Sequence, residues 1–184
     1  MLTDRLLHRS PTRVARVAGG CYLLTFIAGA GTLASRGELR DALSFIADLG
    51  YLGVTFLFYH LFKPVHRGVS LLAALLSLAG IAAGLADRLQ LARVPVNNLV
   101  FFGGYCLLIG WLILRSRFLP HWLGWAMAGA GLGWLTFLSP SLASALRPYN
   151  MAPGIIGEAL LIIWLLAVGI EARRWQEQAG ALRL

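Results

Sequence analysis

Two carboxylic acids, Asp48 and Glu158, stand inside apolar segments of the chain. An ionisable side chain at mid-membrane costs about 2.5–3.5 kcal/mol on insertion scales, so an acid retained there is a functional candidate. Burial penalises the charged form of an acid, and a neighbouring charge penalises a second one. Two acids sharing a low-dielectric site can therefore divide into a general acid and a general base. Asp48 and Glu158 are the candidate catalytic pair. The candidate substrate-binding residues are Tyr51, Thr55, Asn97, Asn98, Phe101, Phe102 and Tyr105. Tyr51 can donate a hydrogen bond, and the asparagines can orient a polar end. The rings can line an apolar pocket and stabilise positive charge with their faces. A lipophilic, isoprenoid-like substrate entering from the bilayer fits that set. The alternative is structural: the acids pair with Arg88, Asn97 or Asn98, and the hydroxyls only bond helix to helix.

Spacing places these groups on shared faces. Asp48, Tyr51, Thr55, Tyr59 and Phe62 recur every three or four residues, as do Tyr22, Thr25, Gly29 and Thr32. Asn98, Phe101 or Phe102, and Tyr105 repeat the pattern. At 1.5 Å per residue, Asp48 lies about 7 Å and Glu158 about 6 Å below the same end of their helices.

The elements that must position them are membrane helices. Of 184 residues, 58% are hydrophobic and 13% charged, with mean hydropathy +0.72. Soluble domains carry nearer a quarter charged residues, and disordered chains are poor in apolar ones. A spanning helix needs about 20 residues. The chain reads as a single all-α membrane domain, 1–184, with helices near 17–35, 43–62, 69–87, 97–114, 122–138 and 154–170. The connections are too short for a further domain. Ser139, Pro140 and Ser141 read as a turn.

Basic residues set the orientation. Eleven lie on one side of this six-helix bundle: Arg5, Arg9, Arg13, Arg16, Lys63, Arg67, Arg115, Arg117, Arg173, Arg174 and Arg183. Five lie on the other: Arg36, Arg40, Arg88, Arg93 and Arg147. Basic loops stay cytoplasmic, so both termini are expected there, in a bacterial inner membrane. The net charge of +8 then reads as topogenic, with anionic lipid as a second use, rather than as a nucleic-acid surface. Four early arginines precede an apolar run without a clean cleavage site, unlike a signal peptide. Trp111, Trp122, Trp125 and Trp175 are expected at headgroup depth, and Trp134 and Trp164 in packing. Gly29, Gly31, Gly103, Gly104, Gly124, Ala128, Gly131 and Gly133 let helices approach closely, or border a substrate groove. A short echo links residues 19–24 to 103–108, as an inverted repeat would.

Other chemistries find little support. Cys21 and Cys106 lie in separate apolar runs, without metal-ligand spacing. His8, His60, His66 and His121 show no close pair and read as interfacial, so no metal and no cofactor is expected. No phosphate-binding loop or nucleophile elbow is visible.

A resemblance rests on particular residues. Phe101, Phe102 and Gly103 are followed by the run 110–116, then Phe118, Leu119, Pro120, Leu123 and Gly124. Gly131, Gly133 and Trp134 come next, then Gly157, Glu158, Trp164, Leu165 and Gly169. Asp48, Tyr59 and the stretch 61–65 extend the pattern upstream. It covers most of the chain and is strongest from the fourth helix onward, where Arg115, Ser116, Phe118, Leu119 and Pro120 form its most specific string. The chain resembles the bacterial membrane family called domain of unknown function 4386. The resemblance implies a small multi-helix membrane protein and supplies no reaction. Many members carry an arginine in the third helix, whereas residues 69–86 here are apolar or small.

Three functions follow. The first is an intramembrane acid/base enzyme, a cyclase or isomerase of a lipophilic substrate. The second is a small proton-coupled carrier or exporter, with the acids as a relay and a homo-oligomer supplying the missing size. The third is a structural or accessory membrane protein. The expected partners are membrane lipid and a small lipophilic substrate, and not nucleic acid.

Overall fold

The computed structural model describes residues 10–91 and 96–181. Arg5, His8, Arg9, Arg93 and Arg183 lie outside the described residues. Within them the fold is all helical: α1 (Pro11–Ala34), α2 (Gly37–Phe62), α3 (Arg67–Arg88), α4 (Leu99–Arg115), α5 (His121–Leu135), α6 (Pro140–Ala145), α7 (Met151–Ala167) and α8 (Ala172–Ala181). A single 3-10 turn, Thr136–Leu138, extends α5. Consecutive long helices pack together from α1 through α5, α5 packs on α7, and α7 returns to α1. The result is a closed ring of six helices.

Polarity is distributed as membrane burial requires. Leu71, Leu75, Leu132 and Ile163 are exposed on the outside of the ring. Glu158, Thr55, Ser70 and Ser77 are buried. A soluble bundle reverses this arrangement. The chain is a membrane protein with several apolar helices.

All six expected segments are helical, yet they differ in reach. Among the described residues, α1, α2 and α3 are long and apolar enough to cross a membrane. A fourth span results if α7 and α8 count as one broken segment, bent by 102°. The other helices are short: α4 and α7 have 17 residues and α5 has 15. At 1.5 Å per residue these are about 22–26 Å long, against a hydrocarbon core of about 30 Å.

Two local readings need correction. Residues 139–141 start a helix instead of ending in a turn. Ser139 accepts a hydrogen bond from the Leu142 backbone N–H at 3.4 Å, and Pro140 takes the first helical position, both ordinary helix-start devices. Trp175 is not an interfacial anchor. It lies on α8, which follows the bend at Gly169 (φ +79°), and it is 2% exposed. Its indole N–H donates to the Leu61 carbonyl at 2.9 Å, closing one end of the ring. Trp111, Trp122 and Trp125 do face outward at that end. His66 caps α3, accepting from the Val69 N–H at 3.1 Å, and packs edge-on to Trp111.

Small residues seat the short helices. A Cβ on Gly131 would lie 2.7 Å from the Gly103 carbonyl oxygen, and one on Gly110 would lie 2.7 Å from that of Gly124. These two contacts bring α4 and α5 backbone to backbone. A Cβ on Gly157 would meet the Ala126 carbonyl at 2.4 Å. Gly29 differs: a Cβ there would meet nothing within 4 Å.

Candidate functional site

The two acids reach one cleft from α2 and α7, the two helices that flank α1 in the ring. It holds about 220 Å³, with Asp48 and Tyr51 on α2, Phe102 on α4, Trp134 on α5 and Glu158 on α7 among its walls. Thr25 and Gly29 of α1 also line it, so Gly29 borders open space where Gly110, Gly131 and Gly157 serve contact. The helical spacing of Asp48 and Tyr51, and of Thr25 and Gly29, turns both pairs inward.

Glu158 is 9% exposed. Its Oε1 accepts the Trp134 indole N–H at 2.8 Å and lies 3.6 Å from the Cys106 thiol. Among the described residues no Lys, Arg or His forms an ion pair with it. The Tyr22 hydroxyl faces the carboxylate, and Tyr51 faces Tyr22, without either closing a full hydrogen bond. The Tyr105 hydroxyl is also buried without a full partner. Unmade hydrogen bonds of this kind cost about 1–3 kcal/mol each, so they call for an explanation. The rings interlock: Tyr51 lies 4.7 Å from Phe102, 5.7 Å from Tyr105 and 5.7 Å from Tyr22, all edge-to-face.

Asp48 has a different environment. Its carboxylate accepts a hydrogen bond from, and is ion-paired with, the Arg88 guanidinium at the end of α3. Arg88 also lies over the Phe45 ring at 5.8 Å, while its Nε is buried without a partner. The pair is part-exposed, with side chains 22% and 27% accessible. Arg88 borders a second, larger space of about 750 Å³, together with Thr32, Arg40, Asp41, Asp87, Asn97 and Asn98. This outer vestibule adjoins the cleft at Leu99, and the Asp48–Arg88 pair stands between them.

The candidate binding residues separate into groups. Tyr51 and Phe102 line the cleft, and Tyr105 lies behind them in the aromatic cluster. Asn97 and Asn98 line the vestibule instead, and Asn97 Oδ1 accepts from the Leu99 N–H at 3.0 Å. Thr55 is spent on helix packing: it donates to the Tyr51 carbonyl at 2.8 Å and meets the Ser77 hydroxyl at 2.5 Å. Phe101 packs its Cβ against Gly80. Sequence reasoning missed Trp134 as a site residue, and missed Tyr22 and Cys106 beside Glu158. Trp134 sits 24 residues before Glu158 on another helix, so no spacing rule links them. Among the described residues no group of three His, Cys, Asp or Glu side chains is arranged to hold a metal.

The family match covers the region that holds Glu158. Residues 96–169 match the family model described as Domain of unknown function (DUF4386). The DUF4386 match begins at the mouth of the vestibule and ends where α7 gives way to the bend. It contains Phe102, Tyr105, Cys106, Trp134 and Glu158, while Asp48 and the 61–65 stretch lie outside it. It thus covers less of the chain than the resemblance implies. An uncharacterized protein of Archaeoglobus fulgidus is 27% identical over 120 residues, covering 60% of this chain and 72% of its own. No solved structure matches. Residues 69–86 hold no arginine, yet Arg88 reaches Asp48 from the end of that helix.

Proposed function

We propose that this chain is an intramembrane acid/base enzyme of the isomerase or cyclase type, acting on a lipophilic, isoprenoid-like substrate at Glu158. One observation carries the reading: a buried carboxyl borders open space, held by the Trp134 indole N–H and the Cys106 thiol, with no basic partner among the described residues and beside phenols that lack full partners. A cleft of about 220 Å³ is smaller than the roughly 300–1,000 Å³ of common small-molecule pockets. It accommodates the reacting end of a molecule whose apolar remainder lies between helices. Glu158 is the proton-transferring group. Asp48 is committed to Arg88, so its part is to shape the cleft mouth and not to act as a second free acid.

The test uses solvent deuterium. Purified protein in nanodiscs is incubated in D2O with a lipid extract of its source membranes, and the lipids are surveyed by mass spectrometry. Wild type should place deuterium in a specific lipid or its product, and Glu158→Gln should not. A lipid extract left unlabelled by wild type contradicts the reading.

A proton-coupled carrier is the second reading, favoured by the vestibule that adjoins the cleft across the Asp48–Arg88 pair. It predicts substrate uptake into liposomes that collapses with the pH gradient. For either activity we infer six membrane-crossing helices with both termini cytoplasmic, in a prokaryotic plasma membrane. Support comes from eight basic residues at one end of the ring against four at the other, among the described residues. A single cysteine placed at Arg117 should resist, and one at Leu39 should accept, a membrane-impermeant thiol reagent in intact cells.

A further inference from the structure

The chemistry of the cleft wall selects a charge. Asp48 and Glu158 line it, and among the described residues no basic side chain does; Arg88 reaches Asp48 from the vestibule side. Asp48 has its counter-charge in Arg88, whereas Glu158 has none among the described residues. Tyr51, Phe102 and Trp134 also line the space, and their rings attract cations most strongly where water is excluded. An anionic group would meet two carboxylates there. A purely apolar group would leave the Glu158 carboxyl without a counter-charge, at a cost in affinity.

We propose that the cleft binds a cationic centre carried on a lipophilic molecule, with Glu158 as its counter-charge and Tyr51, Phe102 and Trp134 as its aromatic walls. The proposal rests on the reading of this cleft as the substrate site and names the charge of what occupies it. A trimethylammonium head on an alkyl chain is the simplest molecule of that class.

The experiment is equilibrium binding to the full chain in nanodiscs. The probe is radiolabelled decyltrimethylammonium, compared with the neutral analogue in which carbon replaces the nitrogen. Wild type should bind the cation saturably and at least 10-fold more tightly than the neutral analogue. Glu158→Gln should erase that preference. Phe102→Leu keeps an apolar side chain but removes the ring, and should cut the preference for the cation over the analogue roughly 2- to 30-fold. If Glu158→Gln fails to insert, Glu158→Asp should retain the preference and Phe102→Leu still decides. Equal binding of both probes, insensitive to these substitutions, overturns the cationic assignment and leaves a lipophile site standing. Binding of neither probe while solvent deuterium still enters a lipid also overturns it. Binding of neither with no deuterium transfer removes the enzyme reading along with it.

Discussion

The two halves of the ring are held together by different forces. Helices α1 to α3 are long and joined mostly by hydroxyls: Thr25 donates to the Ala47 carbonyl at 3.1 Å, Thr55 meets Ser77, and Ser70 donates to the Tyr59 carbonyl at 2.9 Å, while Gly50 seats α2 near α1, where a Cβ would lie 3.0 Å from the Cys21 carbonyl. Helices α4, α5 and α7 are short and joined by glycines that bring backbones into contact. Lipid gives no hydrophobic drive between helices, so each half needs one of these devices. Hydroxyl contacts tolerate small displacements, while a glycine contact has no slack. The precise half is also the one that matches DUF4386 and holds Glu158, Trp134 and Cys106. A carboxyl that must stay aligned with the Trp134 indole N–H and the Cys106 thiol benefits from a frame that cannot slide.

Substitutions sharpen that contrast. The largest effect is expected at Gly157→Ala, whose Cβ would lie 2.4 Å from backbone. Overpacking there should cost about 2–3 kcal/mol, read as lost resistance to SDS-induced unfolding. Gly131→Ala should follow closely, while Gly29→Ala, with open space around it, should leave stability unchanged and narrow the cleft. Arg88→Gln comes next, because it leaves the part-buried Asp48 carboxylate without its partner. The loss should be about 1–2 kcal/mol, below the fully buried case because water reaches the pair. Adding Asp48→Asn to Arg88→Gln should recover most of it, and a double variant no better than the single would break the assignment of that pair. The smallest effect is expected at Ser77→Ala. Interhelical hydrogen bonds in membrane proteins average about 0.6 kcal/mol, and Thr55 keeps its bond to the Tyr51 carbonyl. A Ser77→Ala loss as large as that of Gly157→Ala would erase the distinction between the halves.

Much of this was legible in the residues. Apolar runs bounded by Arg, Pro and polar loops located the six ring helices, most ends to within about three residues, while α1 and α2 begin six residues earlier through Pro11–Arg16 and Gly37–Ala42. Exclusion from water acts on composition directly. Three- and four-residue spacing turned Tyr51, Thr25 and Phe102 inward for the same reason. The division of labour among the polar groups was not legible. Asp48 and Glu158 look alike in sequence, and only the end of α3 decides that one of them meets Arg88. Thr55 and Tyr51 share a helix face, yet Ser77 on the neighbouring helix claims the former. Trp134 reads as packing because its partner lies on another helix. The amphipathic α8 was missed since its charge sets it apart from spanning segments, and Trp175 follows it beneath the ring.

The central claim is that the lipophilic molecule sits in the cleft beside Glu158. Photo-crosslinking tests it most directly. A diazirine-bearing alkyl lipid is activated in nanodiscs containing the protein, and the labelled residues are mapped by mass spectrometry. Labelling of Tyr51, Phe102 or Trp134, removed by excess unlabelled ligand and reduced in Glu158→Gln, is the expected result. Labelling confined to the outward residues Leu71, Leu75, Leu132 and Ile163 would contradict the account and leave the buried polar cluster as a device for holding the ring together.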